Sequence, residues 1–83
     1  DFSRADLADA RFGKADLSRS DFSRAMLSGC DFREAVLKGT SFRDANLAGA
    51  RLGGAQMFTT DLRGANLRGA REMTQDQLGK ALT

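Results

Sequence analysis

Residues 39–52 read GTSFRDANLAGARL, with large apolar side chains at Phe42, Leu47 and Leu52. The interval of five matches neither regular backbone. An α-helix turns about 100° per residue, so a five-residue series scatters around its axis. A strand sends alternate side chains to opposite faces, so an odd interval reverses the face at every step. Such a self-similar interval calls for a repeat architecture.

Followed in both directions, the series runs unbroken from Phe2 to Leu67. Its fourteen centres are Phe2, Leu7, Phe12, Leu17, Phe22, Leu27, Phe32, Leu37, Phe42, Leu47, Leu52, Met57, Leu62 and Leu67. The residue three after each centre is small: Ala ten times, with Ser20, Cys30, Thr40 and Thr60 as the exceptions. One large and one small inward side chain per pentad describe a narrow tube whose chain turns after every pentad. A longer echo sets the circuit. DFSRA at 1–5 recurs at 21–25, and Ser20, Thr40 and Thr60 are spaced by twenty. Four pentads per lap make a square, with Phe2, Phe22, Phe42 and Leu62 on one wall and Phe12, Phe32 and Leu52 opposite. About 3.5 such coils, at ~4.8 Å each, form a stub roughly 17 Å tall.

The strings ADL (5–7, 15–17) and ANL (45–47, 65–67), each followed by two variable residues, resemble the A(D/N)LXX signature of pentapeptide repeat proteins. The resemblance covers residues 1–71. It implies an all-β solenoid, a right-handed quadrilateral β-helix; the square follows from the periods, the handedness only from the family. Gly29, Gly39, Gly49, Gly54, Gly64 and Gly69 stand two after their centres, where a type II turn needs positive φ. Arg4, Asp9, Lys14, Arg19 and Arg24 hold that place in the earlier corners, which are expected to use turns without positive φ.

Residues 72–83, EMTQDQLGKALT, leave the repeat. Thr74 and Gln77 form a capping box, Met73 and Leu78 suit a hydrophobic staple, and Asp76 suits the positive helix start. A short helix at about 75–82 is therefore expected to cap the last coil, with Leu78, Ala81 and Leu82 inward. The first coil has no comparable device, so Phe2, Leu7, Phe12 and Leu17 require cover from upstream sequence or from another copy. Homodimerisation through that open coil or through the terminal helix follows as an expectation. Because Asp1 is not Met, the chain is expected to begin inside a longer protein or after processing.

Composition narrows the chemistry. Thirteen basic residues, eleven acidic ones and no His give a formal charge of +2, which does not point to a nucleic-acid partner. No apolar run exceeds three residues, so membrane insertion is not expected. The lone Cys30 excludes an internal disulfide and fits a reducing compartment such as the cytoplasm. Nothing in the chain implies a cofactor, a metal or a catalytic residue. Cys30 reads as a packed thiol, and Ser20, Thr40 and Thr60 as hydroxyls serving the backbone. Asp1, Asp6, Asp16, Asp21, Asp31 and Asp61, each before a centre, read as turn and surface groups. Asn46 and Asn66 read as a side-chain amide ladder. Arg33, Lys38, Arg43, Arg63 and Arg68 read as solvated surface, without the interleaved aromatics that base stacking needs.

Phe58 is the anomaly, because it follows the centre Met57 and belongs to an outward column. Packing beneath the terminal helix is the preferred reading. The alternative makes Phe58, Leu78 and Leu82 an anchor for a partner, with Met26 and Val36 as outward additions. The function expected is a non-catalytic structural or protein–protein interaction module with an unidentified protein partner. The alternative comes from the resemblance: some members imitate B-form DNA and bind type II topoisomerases such as gyrase, protecting them from quinolones. Those are longer, dimeric rods with a markedly negative face, unlike this short chain of +2.

Overall fold

A computed structural model of the protein describes residues 1–81, apart from the side chains of residues 75, 76 and 78. Every pentad folds alike. The amide three after each centre donates to that centre's carbonyl, as Ala5 does to Phe2 at 3.1 Å and Ala70 does to Leu67 at 3.0 Å. This closes a β-turn, and the residue before the next centre then lies along the wall. There it pairs in parallel with the residue twenty away: Asp6 with Met26, Met26 with Asn46, Asn46 with Asn66. Ten such bridges run around the four walls among the described residues. None lengthens into a strand, because a corner interrupts the backbone every five residues. The all-β expectation thus takes the form of isolated bridges, with turns supplying most of the chain.

The interior is aromatic on two opposite walls. Phe2, Phe22 and Phe42 stack face to face with centroids 4.9 and 5.3 Å apart, and Phe12 stacks on Phe32 at 5.2 Å. Across the lumen these stacks meet edge to face, with Phe32 lying 5.5 Å from Phe42. Both geometries suit the ring quadrupole. From Phe22 to Leu62 every centre is at most 3% exposed. The ends differ: Leu7, Phe12, Leu17 and Leu67 are half-buried, and Phe2 is 37% exposed.

One expectation is corrected. The corner residue two after the centre has positive φ in all fourteen turns, including Arg4 (60°), Asp9 (63°), Lys14 (62°), Arg19 (63°) and Arg24 (60°). Side-chain type does not choose the turn; the stacking does. Among the described bonds, eleven of these fourteen amides donate to a carbonyl one coil further on, as from Arg4 to Ser23 at 2.9 Å and from Gly29 to Ala48 at 2.9 Å; the other three corners are Gly54, Gly64 and Gly69. A corner with negative φ would swing that amide away and break the register of the next coil. The left-handed conformation costs an L-residue about 1–2 kcal/mol, which the retained hydrogen bond and unbroken core packing offset.

After Arg71 the chain leaves the wall through Glu72, at φ 66°, and forms α1, Gln75–Lys80. Its start is the capping box read from the sequence: the Gln77 amide donates to Thr74 Oγ1, and the Thr74 amide donates to Gln77 Oε1. The helix ends at Lys80, with Ala81 extended rather than helical as expected. Met73 and Ala81 pack against the core. Leu82 and the side chain of Leu78, both expected to point inward, lie outside the described residues.

Gln77 carries the attachment. Its side chain is buried, and Nε2 donates to the carbonyls of Leu52 (2.7 Å) and Ala55 (3.0 Å). In the body of the solenoid, corresponding carbonyls receive donors from the next coil: Thr40 Oγ1 bonds Leu17 and the Gln56 amide bonds Ala35. A single carboxamide replaces both. Nearby, the Thr59 amide donates to the Lys80 carbonyl at 2.8 Å, completing another corner of the last full coil.

Candidate functional site

Three inward polar groups are committed to the backbone. Cys30 Sγ donates to the Leu7 carbonyl at 3.0 Å, Thr40 Oγ1 to Leu17 at 2.7 Å, and Thr60 Oγ1 to Leu37 at 2.5 Å. The three residues are fully buried, and burial pushes the Cys30 thiol up, away from the thiolate a nucleophile requires.

The outward carboxylates have a local task. Asp1, Asp16, Asp21, Asp31 and Asp61 each accept the amide two residues on, at 2.9–3.1 Å. Asn46 and Asn66 do the same for Ala48 and Arg68. This Asx-turn bond explains why Asp or Asn recurs before a centre: it satisfies the first free amide of the corner. Asn66 also donates weakly to Asn46, at 3.4 Å, across the coil step. Arg33 and Arg63 make two-pronged contacts with Asp31 (2.9 and 2.8 Å) and Asp61 (3.0 and 2.9 Å). The Arg33 guanidinium holds the Asp31 carboxyl down to about 2, and Arg63 lowers that of Asp61. Both acids are thus turn-formers with a cation attached. Neither is poised to transfer a proton near neutrality.

Among the described residues, no group of three His, Cys, Asp or Glu side chains is placed to hold a metal, and no helix is long and apolar enough to cross a membrane. Concavities are grooves between corner side chains. One, lined by Lys14, Asp31, Arg33, Glu34, Gly53 and Glu72, contains only exposed or mutually paired charges.

Phe58 stands apart from this pattern. Its ring is 57% exposed, so it does not pack beneath the helix as preferred from the sequence. Lys38, one coil earlier, places Nζ 6.0 Å from the ring centroid. Beside the ring is a cavity of about 270 Å³, lined by Ala55, Gln56, Met57, Phe58, Gln77 and Lys80, at the junction of wall and helix. Met26 is also exposed, at 51%, but on the opposite wall; Val36 is half-buried on the wall of Phe58. The sequence marked Phe58 and missed Gln77 beyond its capping role, since no repeat period announces a side chain reaching back to residues 52 and 55.

Family models described as pentapeptide repeats match residues 1–39 with 8 copies and residues 22–66 with 9. Among solved structures, a pentapeptide repeat protein of the Arabidopsis thaliana thylakoid lumen is 37% identical, with a TM-score of 0.78 over 78% of this chain and 45% of its own. A pentapeptide repeat protein of Nostoc PCC 7120 is also 37% identical, with a TM-score of 0.56 over 84% of this chain and 62% of its own. The chain therefore spans less than two thirds of either structure's length. Comparison with curated proteins gives no match. Fold, period and corner chemistry agree: the chain belongs to the pentapeptide repeat family, whose members form right-handed quadrilateral β-helices and are generally non-enzymatic.

Proposed function

We propose that this chain is a non-catalytic structural module whose outer walls carry protein–protein contacts, with α1 acting as the cap of its last coil. The observation that carries this reading is the filled lumen. Fifteen hydrophobic residues between Phe22 and Leu62 are at most 4% exposed, leaving no internal cleft in which a reaction could be shielded from water. Outside, Asp1, Asp16, Asp21, Asp31 and Asp61 are held in turns, and Arg33 and Arg63 pair with Asp31 and Asp61. What the fold offers a partner is a set of rigid walls.

A gyrase-binding, DNA-mimicking role would need a continuous anionic face. The column Asp1, Asp21, Ser41, Asp61 is broken at its third step, and Asp61 is covered by Arg63 with Arg43 at 4.0 Å. The scaffold reading stands in its place. Photo-crosslinkers installed one at a time at Met26, Ser41, Arg51 and Phe58, in the protein expressed from its own gene, test it. Discrete protein adducts confined to one or two walls are expected. Adducts to nucleic acid, no adduct from any wall, or inhibition of gyrase supercoiling by the purified protein would overturn it.

A further inference from the structure

The geometry points to the groove beside Arg4, Arg24 and Arg43 as a binding site for a phosphate monoester, presented as a phosphorylated side chain of a partner protein. The inference rests on the scaffold reading and names the edge used and the group recognised.

The groove holds about 450 Å³ and is lined by Ser3, Arg4, Ser23, Arg24, Arg43 and Asp44. These residues stand at one corner of successive coils. The Arg4 amide donates to the Ser23 carbonyl at 2.9 Å and the Arg24 amide to the Arg43 carbonyl at 2.8 Å, so three corners stack in register. Arg4 and Arg24 therefore hold the same place one coil step, ~4.8 Å, apart. Like charges at that spacing repel. Both residues also take the left-handed conformation, at φ 60°, in a column where Gly64 occupies the same place. Among the described residues neither guanidinium forms an ion pair. Arg43 reaches only Asp61, at 4.0 Å, which Arg63 already holds at 2.9 Å. The diagonally opposite corner is built differently: there Lys14 faces Glu34 and Arg33 grips Asp31.

The nearby carboxylates are turned to other partners. Asp44 leans over Gly64, into the space a Cβ there would take, and so toward the following coil. Asp1 and Asp21 accept the Ser3 and Ser23 amides, and Ser41 takes the third place in their column. The corners at 43–44 and 63–64 stand between Arg24 and the end of the solenoid that α1 caps.

Charge and shape then select the ligand. Of the lining groups, three guanidiniums against one carboxylate leave +2. A phosphate monoester carries about −1.5 to −2 near neutrality and offers three acceptor oxygens. Guanidinium forks take such oxygens in pairs, and one group can bridge several forks. A carboxylate brings a single charge and would leave the cluster half neutralised. A nucleic-acid strand fits less well, because the cations gather at one corner and no aromatic ring lines the groove for base stacking.

The probe is a neutral ten-residue synthetic peptide with one central phosphoserine, titrated against the 15N-labelled protein. Shifts should concentrate at residues 3–4, 23–24 and 43–44. The unphosphorylated peptide should not bind, and a peptide with Glu in place of phosphoserine should bind about tenfold more weakly. Affinity should fall as the phosphate takes up a proton around pH 6. Arg4→Gln and Arg24→Gln should each raise Kd about tenfold, while Arg51→Gln, which removes the same charge from a wall that does not border the groove, leaves it unchanged. All three side chains are exposed, so the variants should keep the wild-type circular dichroism. Equal binding of the Glu peptide, binding that survives Arg4→Gln and Arg24→Gln, or no shift at these corners would overturn the assignment. Inorganic phosphate binding as tightly as the peptide, or a DNA duplex binding more tightly, would overturn it too, by making the ligand a free anion or a nucleic acid. Protein crosslinks arising from Arg51 or Phe58 but not from Met26 or Ser41, which flank this corner, would sink the inference and leave the scaffold reading standing.

Discussion

The positive φ shared by glycine and non-glycine corners makes backbone strain measurable one residue at a time. At Gly49, φ is 69° and an added Cβ would approach nothing closer than 4.0 Å. Gly49→Ala therefore isolates the conformational cost, and should destabilise by about 1–2 kcal/mol in urea unfolding. Arg24→Gly, at φ 60°, relieves the same strain at an exposed corner. Its gain should be smaller, about 0.5–1 kcal/mol, because glycine also enlarges the unfolded ensemble. A second prediction concerns acid. The folded-state pKa of Asp31 is lowered from 3.8 to about 2, chiefly by hydrogen bonds from Arg33. A depressed carboxylate contributes its full stabilisation above the ordinary value and loses it as pH falls through the folded one. Urea midpoints should thus decline between about pH 4 and pH 2, with Asp16, Asp21 and Asp61, also lowered, adding to the slope. Asp31→Asn should flatten that slope, and an unchanged profile would remove the Arg33 contact from the account.

At the scale of the element, α1 is too short to persist alone, since isolated helices below about 12 residues are marginal in water. Its capping box fixes the first turn, but its hold on the solenoid is the Gln77 carboxamide under the Leu52 and Ala55 carbonyls. Gln77→Ala leaves one of those acceptors without a donor, because Leu52 still receives the Ala55 amide whereas Ala55 receives only Gln77 among the described bonds. The expected loss is about 1–3 kcal/mol. A second readout separates detachment from general weakening. The Thr59 amide, bonded to Lys80, should exchange with solvent much faster in the variant, while the Phe32 amide, bonded to Arg51, keeps its protection.

Over the whole molecule, stability is a sum over stacked layers, and the layers are unequal. Phe32 is fully buried and meets Phe12, Phe22 and Phe42, whereas Phe2 is 37% exposed and meets Phe12 and Phe22. Phe32→Ala should cost about 3–5 kcal/mol, enough to unfold a domain of this size at room temperature. Phe2→Ala should cost well under half of that and leave the remaining coils folded. Native-state hydrogen exchange should show the same gradient, slowest at residues 22–52 and fastest in the first coil. Uniform protection from end to end would mean that the layers unfold as one unit.

The five-residue period, the twenty-residue lap and the facing Phe walls could all be read from the chain, because each is a one-dimensional record of which side chains point inward. The Asx role of the Asp and Asn residues and the capping box were legible for a similar reason: both are bonds between residues two or three apart. The non-glycine corners escape such a reading, because residue type does not choose their φ: a carbonyl nineteen residues on holds the amide at most of them. Gln77 and Phe58 were undecidable in advance for a related reason. Whether a side chain meets the core, a neighbouring carbonyl or water depends on where α1 crosses the last coil, and only the folded tube supplies that surface.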